Sequence, residues 1–223
     1  MMSRRELIGS SIGLAAFSVL PAPPAMAAIP DIVPVPDSRL AKAATALMDS
    51  GGSPEWADHC RRAYQFGALL MQKAGVHRYD RELAYLSSIL HDLALTPKYP
   101  GPEEFPIRGA RLAGEFLSDQ GLGAADVQLV QYAIRYHLDI GITDYRPEVR
   151  IVPTGSLCDL TGAGLHLLDR RQIQAILDYA PRHEFKKEFI RSSNGERRKL
   201  PLAPSSCLGL LLQPAVLAAP FES

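Results

Sequence analysis

Hydrophobic positions along this chain recur every three or four residues, and no stretch shows the period-two alternation or β-branched runs of a sheet. After a Pro-rich linker over 28–36, Leu40, Ala43, Ala44 and Leu47 form the apolar stripe of a helix capped by Asp37 or Ser38 and running to about Met48. Gly51-Gly52 breaks it. Ser53-Pro54-Glu55 then gives a cap and a proline at the first helical position, opening a long second helix that reaches about Lys73 and stops at Gly75. Asp80 caps a third helix, in which Leu86, Ile89, Leu90 and Leu93 share one face, and this buried helix closes on His91-Asp92. The proline-rich stretch from Ala94 to Pro106 is expected to be a loop that leaves from that pair and covers or lines whatever binds there.

Five more helices are expected: Ile107 to about Asp119, Ala124 or Asp126 to about His137, Pro147 through Cys158-Asp159 with a bend at Pro153, an Asp169-capped helix to about Tyr179, and His183 to about Arg191. From Pro201 on, the tail reads as one short helix around Cys207 to Leu212 with irregular chain about it. The fold class is therefore all-α, with a helical domain over 37–195 and a C-terminal tail over 196–223 packed on it.

The first 27 residues read as an export signal. Ser3-Arg4-Arg5-Glu6-Leu7-Ile8 is a paired-arginine segment, an apolar Gly/Ala/Ser-rich stretch runs from Leu7 to Leu20, and Ala25-Met26-Ala27 is a small-x-small cleavage site. The arginine pair looks like a twin-arginine signal; a general secretory signal is the alternative. Either predicts a periplasmic or secreted protein cleaved near Ala27, with no stable membrane insertion afterwards, because the apolar run is short for a membrane span.

Charge narrows the partners. Lys+Arg and Asp+Glu both number 24, so the broad basic surface of a nucleic-acid binder is missing, and a small-molecule substrate is the expected partner. The sequence does not set an oligomeric state. Cys60, Cys158 and Cys207 fit no zinc-ligand spacing, and the first two read as small core residues.

The candidate chemistry starts at His91-Asp92, since an unpaired carboxylate is costly to bury and a cation is an economical partner. His59 and Arg62 lie one turn apart on the inward face of the second helix, His137 ends the fifth, and Asp159 stands among apolar and small residues in the sixth. Taken singly, each has an ordinary reading: a core histidine, a helix cap, a histidine at a helix C-terminus. Taken together, they put imidazole and carboxylate groups on facing helices, a ligand set for zinc, iron(II) or manganese(II).

The order His59, His91-Asp92, Asp159 on an all-helical chain resembles the HD superfamily of metal-dependent phosphohydrolases and their relatives. It is closest to the cyanamide hydratase-like branch. Asp58-His59-Cys60-Arg61-Arg62-Ala63-Tyr64 is similar to that branch's Asn-His-Ser-x-Arg-x-Tyr, and Leu90-His91-Asp92-Leu93-Ala94-Leu95-Thr96 to its His-Asp-Leu-Gly-Leu-Thr turn. Phe105 and Gly109 fit its Phe-Glu-x-x-Gly, Asp159-Leu160-Thr161-Gly162 its Asp-x-x-Gly, and Pro181-Arg182 and Phe189 its later Pro-Arg and aromatic positions.

The resemblance implies an HD helical bundle with one inward-facing divalent metal held by His59, His91, Asp92 and Asp159. Asp92 or His137 would shuttle a proton, and Arg62 would orient Asp92 or an anionic group. Tyr64, Phe105 and Lys98 are the expected substrate contacts. His137 stays open between an outer acid, a ligand to a second metal and a helix-end cap. The expected activity is addition of metal-activated water to a small nitrile- or amide-like substrate. The alternatives are an HD phosphohydrolase acting on a nucleotide or phosphomonoester, and a non-catalytic HD ligand-binding protein. Two departures bear on this choice. Leu95 stands where phosphohydrolases of the family often carry a lysine that neutralises phosphate, which favours an uncharged substrate. Pro106 replaces the branch's glutamate, with Glu103 and Glu104 just before it.

Overall fold

The computed structural model describes residues 31–139, 141 and 143–221. The expected export signal over 1–27, and the start of the linker, lie outside these. The described residues form nine α-helices and two short 3₁₀ turns, with no strand among them. None of these helices is long and apolar enough to cross a membrane.

The first three helices begin where the sequence places caps. Ser38 accepts from the Ala41 amide ahead of α1 (Arg39–Asp49), and Ser53 from Trp56 ahead of α2 (Pro54–Lys73). Asp80 accepts from Glu82 and Leu83 ahead of α3 (Arg81–Leu90). The linker is tied down as it enters the fold: Val33 is buried and exchanges two hydrogen bonds with the Gln65 amide, at 2.7 and 2.9 Å.

The centre of the bundle is the pair α2 and α6 (Pro147–Thr161). These helices touch backbone to backbone through two glycines. A Cβ on Gly155 would lie 1.8 Å from the Ala63 carbonyl oxygen, and one on Gly67 would lie 2.3 Å from that of Ile151. This approach sets the distance between the side chains that α2 and α6 send into the site. α3 packs against both, α4 (Phe105–Asp119) pairs with α5 (Ala124–Arg135), and α7 (Arg170–Tyr179) leans on α2.

The loop after His91-Asp92 departs from the expectation of irregular chain. It starts with a 3₁₀ turn over Leu93–Leu95, and α4 already begins at Phe105 with Pro106 in its first turn. Buried Arg108 holds it in place. Its guanidinium donates to the carbonyls of Ala94, Tyr99 and Gly101 at 2.9, 3.1 and 3.2 Å, and to that of Glu103, supplying partners to backbone groups that have no helix to satisfy them.

The C-terminal region is more helical than its prolines predict. α8 runs over Phe185–Lys199, two turns past Arg191, and α9 over Pro204–Ala218. Pro204 sits in the first turn, where no amide hydrogen is needed, and α9 continues through Pro214. α8 carries Phe185, Glu188, Phe189 and Glu196 into the protein and packs along α9.

Gly155→Ala is expected to destabilise the protein by at least about 2 kcal/mol in urea denaturation, because the added methyl meets backbone that cannot yield. Gly195→Ala, in α8 with no atom within 4 Å of its would-be Cβ, should leave stability unchanged or raise it by about 1 kcal/mol. Equal effects would contradict the close α2–α6 approach.

Candidate metal centre

Three imidazoles converge on one carboxylate. His59 comes from the middle of α2, His91 caps the end of α3, Asp92 follows it, and His137 stands two residues beyond α5. All four are buried, none more than 5 % exposed. Each imidazole uses Nδ1 on an outward acceptor. His91 Nδ1 lies 2.7 Å from the Ser88 carbonyl oxygen and His137 Nδ1 lies 2.6 Å from that of Ile134. A carbonyl can only accept, so both nitrogens are N–H donors. His59 Nδ1 donates to Asp159 Oδ2 at 2.7 Å.

Every Nε2 is thereby turned inward. The Nε2 atoms of His59 and His91 stand 3.5 and 3.1 Å from Asp92 Oδ2, and that of His137 stands 3.7 Å from Oδ1. His91 Nε2 and Asp92 Oδ1 are buried without a hydrogen-bond partner. Ser156 Oγ lies 3.3 Å from His59 Nε2; the other buried lone pairs of nitrogen and carboxylate oxygen facing one another require positive charge between them.

The ionisation of these groups follows from that demand. Burial alone would raise Asp92, but the charge and hydrogen bond of His91, with His137 and His59 behind, hold it down at about 2. Burial alone would lower His91, yet Asp92 holds it well above the ordinary histidine value. Burial pushes His59 below its usual value and His137 down to about 4, the latter helped by His91. A proton on His91 is thus the least charge that makes the cluster tolerable. One ligand atom each from His59, His91 and Asp92 all lie within 4.8 Å of one another, the donor chemistry and spacing that a divalent cation takes.

Asp159 stands behind this cluster. It was expected as the fourth ligand, but both its oxygens are in use here. Oδ1 accepts from Arg62 Nε at 2.8 Å and Arg182 Nη1 at 2.6 Å, and Oδ2 accepts from Arg62 Nη2 at 3.0 Å and from His59. Burial would raise its pKa, but the two guanidinium groups and His59 hold the carboxyl far below the usual range. In this arrangement Asp159 fixes the tautomer and tilt of His59, as a carboxylate behind a metal-binding imidazole does. Arg62, expected on Asp92 or an anion, instead clamps Asp159 and donates to the Ala180 and Pro181 carbonyls at 3.2 and 2.6 Å. Phe185 stacks on His59, its ring centroid 4.7 Å away, with the Arg62 and Arg182 guanidinium groups each 5.2 Å from its own centre.

The expected substrate contacts separate. Phe105 is in the cavity wall, 5.8 Å from the His137 ring. Lys98 is exposed and bonds Ser50 Oγ at 2.9 Å, away from the cavity. Tyr64 packs edge-on against Tyr85 in the core, with its hydroxyl toward the Pro34 carbonyl. His77, His166 and His183 are exposed, and Cys60 and Cys158 are buried and outside any disulfide, the core placement that the sequence implies for both. Glu103 pairs with Arg111, and Glu104 accepts from Ser205.

The cavity beside Asp92 and His137 is small, about 40 Å³, room for the centres of roughly three waters. Leu95, Phe105, Leu138, Leu160 and Phe189 give it an apolar wall, and Ser156, Ser193, Glu196 and Ser205 join Asp92 and His137 as its polar points. No lysine or arginine lines it. Sequence reasoning passed over Trp56, Ser156 and Glu196. The signal was helical spacing: Trp56 and Ser156 each precede a singled-out residue by three, and Phe189, Ser193 and Glu196 repeat at four and three.

A helical bundle that gathers an imidazole and a His-Asp pair around a cation-demanding pocket defines a metal-binding HD domain. The chain belongs to that family: the HD domain model matches residues 56–179. It is 25 % identical over 183 residues to the cyanamide hydratases DDI2 and DDI3 of Saccharomyces cerevisiae, covering 80 % of this chain and 81 % of each of theirs. It is 38 % identical over 66 residues to a bifunctional uridylyltransferase/uridylyl-removing enzyme of Ruegeria pomeroyi, covering 30 % of this chain and only 6 % of that enzyme.

Stoichiometric zinc binding, measured by metal analysis after dialysis, should be lost in His91→Ala. Asp159→Asn should retain a site weakened by about 10–100-fold; loss equal to that of His91→Ala would place Asp159 among the ligands. In metal-free protein, Asp159→Ala should cost about 3–5 kcal/mol, since it strands two buried guanidinium groups.

Proposed function

We propose that this protein is a metal-dependent HD hydratase that adds water across the C≡N bond of a small, uncharged nitrile-type substrate, or hydrolyses an amide of similar size. The observation that carries this reading is the cavity itself: the His59/His91/Asp92 cluster meets, at Asp92, a space of about 40 Å³ that His137 also lines and that has no lysine or arginine in its wall. A phosphate would enter with no cationic side chain in the wall to meet it. Leu95 lines the wall where the phosphohydrolase reading needs a lysine. The similarity over most of their length to two cyanamide hydratases supports the same reading. The match to the uridylyl-removing enzyme, which favours a phosphoester, spans a small part of that protein.

His59, His91 and Asp92 would hold the metal, zinc, iron(II) or manganese(II), which when bound supplies Lewis acidity and lowers the pKa of water. Asp92 stays ionised and holds charge rather than protons. His137 is neutral at pH 7, and its inward Nε2 is placed to take the proton of the attacking water as the C–O bond forms. The carboxylate 3.7 Å away stabilises the imidazolium so produced. The same nitrogen returns the proton to the nitrile nitrogen, and tautomerisation gives the amide or urea. Phe105, Leu138 and Phe189 keep bulk water from the reacting atoms. The paired-arginine signal supports action in the periplasm, with the domain exported already folded.

Metal-loaded protein should convert cyanamide to urea without releasing ammonia, and should release no phosphate from p-nitrophenyl phosphate. His137→Gln should lower kcat by about 10²–10⁴-fold while metal content is unchanged. Phosphate release faster than hydration would sink the reading.

A further inference from the structure

The small cavity does not end at the metal ligands. A second, larger space of about 590 Å³ lies against it, between the C-terminal end of α2, α6 and α9. Six residues line both: His137, Leu138, Ser156, Leu160, Leu208 and Leu212. Beyond them Leu70, Met71, Leu157 and Leu167 give the larger space its apolar wall, with Asp139, Arg150 and Thr154 as its polar points. Its size falls within the roughly 300–1,000 Å³ of small-molecule sites, whereas cyanamide, with three heavy atoms, would fill only the inner cavity. Leu157 and Leu167 are 45 % and 52 % exposed. Apolar side chains left in water along the route to a catalytic cluster have a natural occupant in an apolar part of the substrate.

We infer that the preferred substrate carries an apolar substituent, an alkyl chain or a single aromatic ring, on the reacting nitrile or cyanamide group. This rests on the hydratase reading and names its substrate class. The head group lies in the inner cavity near His137 and Ser156, and the substituent lies in the groove against Leu70, Leu157 and Leu167. Unsubstituted cyanamide leaves the groove filled with water and gains nothing from it.

The test is a series on the metal-loaded full chain: cyanamide, then methyl-, butyl- and benzylcyanamide, with urea products quantified by chromatography. kcat/KM should rise along the series, by about fourfold for each methylene buried, so that the butyl compound exceeds the methyl by tenfold or more. Leu167→Asp, at a half-exposed position, should reduce the benzylcyanamide-to-cyanamide ratio at least tenfold. Leu210→Asp, exposed on α9 and outside the groove, should leave the ratio unchanged. A flat or falling series with cyanamide still hydrated overturns the inference and leaves the hydratase reading standing. Absence of turnover for every member in protein with bound metal overturns both. A flat series together with concentration-dependent self-association that Leu167→Asp abolishes would assign the groove to a second copy of the chain.

Discussion

The arrangement depends on keeping Asp159 charged in a place that water does not reach. Two buried guanidinium groups and one imidazole N–H occupy its oxygens. Such a cluster is expensive to assemble and worse to break, so its members are fixed in position. The return is directional. With Nδ1 of His59 tied to Asp159, Nε2 has one place to point, and that place already holds His91, Asp92 and His137. The close α2–α6 contact through Gly67 and Gly155 brings His59 and Asp159 to bonding distance. Phe185 then seals the assembly, stacked on His59 and flanked by the two arginines.

From that anchor the chemistry of the centre follows. His59, His91 and Asp92 offer lone pairs to one point with His137 beside them, and since the buried guanidinium groups of Arg62 and Arg182 are committed to Asp159, the charge that faces that point is a proton on His91. The same low-polarity surroundings that lower His59 and His137 keep both imidazoles neutral and able to ligate or take up a proton. The cavity beyond is apolar, small and free of basic side chains, so the site combines a strong requirement for one cation with little provision for an anionic substrate. On the proposed substrate, the small inner space would take the reacting head and the larger groove beside it the carried substituent.

Much of this was legible in the sequence. Caps at Ser38, Ser53, Asp80 and Asp169 act locally, so they located helix starts to within a residue or two. The inward positions of His59, His91-Asp92 and Asp159 followed from helical spacing. What spacing cannot give is depth: a carboxylate on an inward face is equally a ligand or the group behind one, and only the positions of Arg62 and Arg182 show which arrangement Asp159 adopts here. Lys98 shares a loop with cavity-lining Leu95, yet the Arg108-bound turn of that loop faces it outward to Ser50. Tyr64 shares α2 with His59, but it packs against Tyr85 in the core. The extent of α8 and α9 was hidden by prolines and by a polar run after Arg191. Their helices are held by burial of Glu188, Phe189 and Glu196 and by packing on each other, long-range terms that local sequence does not record.

In the proposed centre His59, His91 and Asp92 hold one divalent cation, with Asp159 behind His59. A crystal structure of the zinc-loaded protein, with anomalous diffraction collected on both sides of the zinc edge, tests it most directly. One anomalous peak is expected, bounded by Nε2 of His59, Nε2 of His91 and the Asp92 carboxylate, with Asp159 still bonded to His59 Nδ1, Arg62 and Arg182. A peak at another cluster, or none at this one, would contradict it.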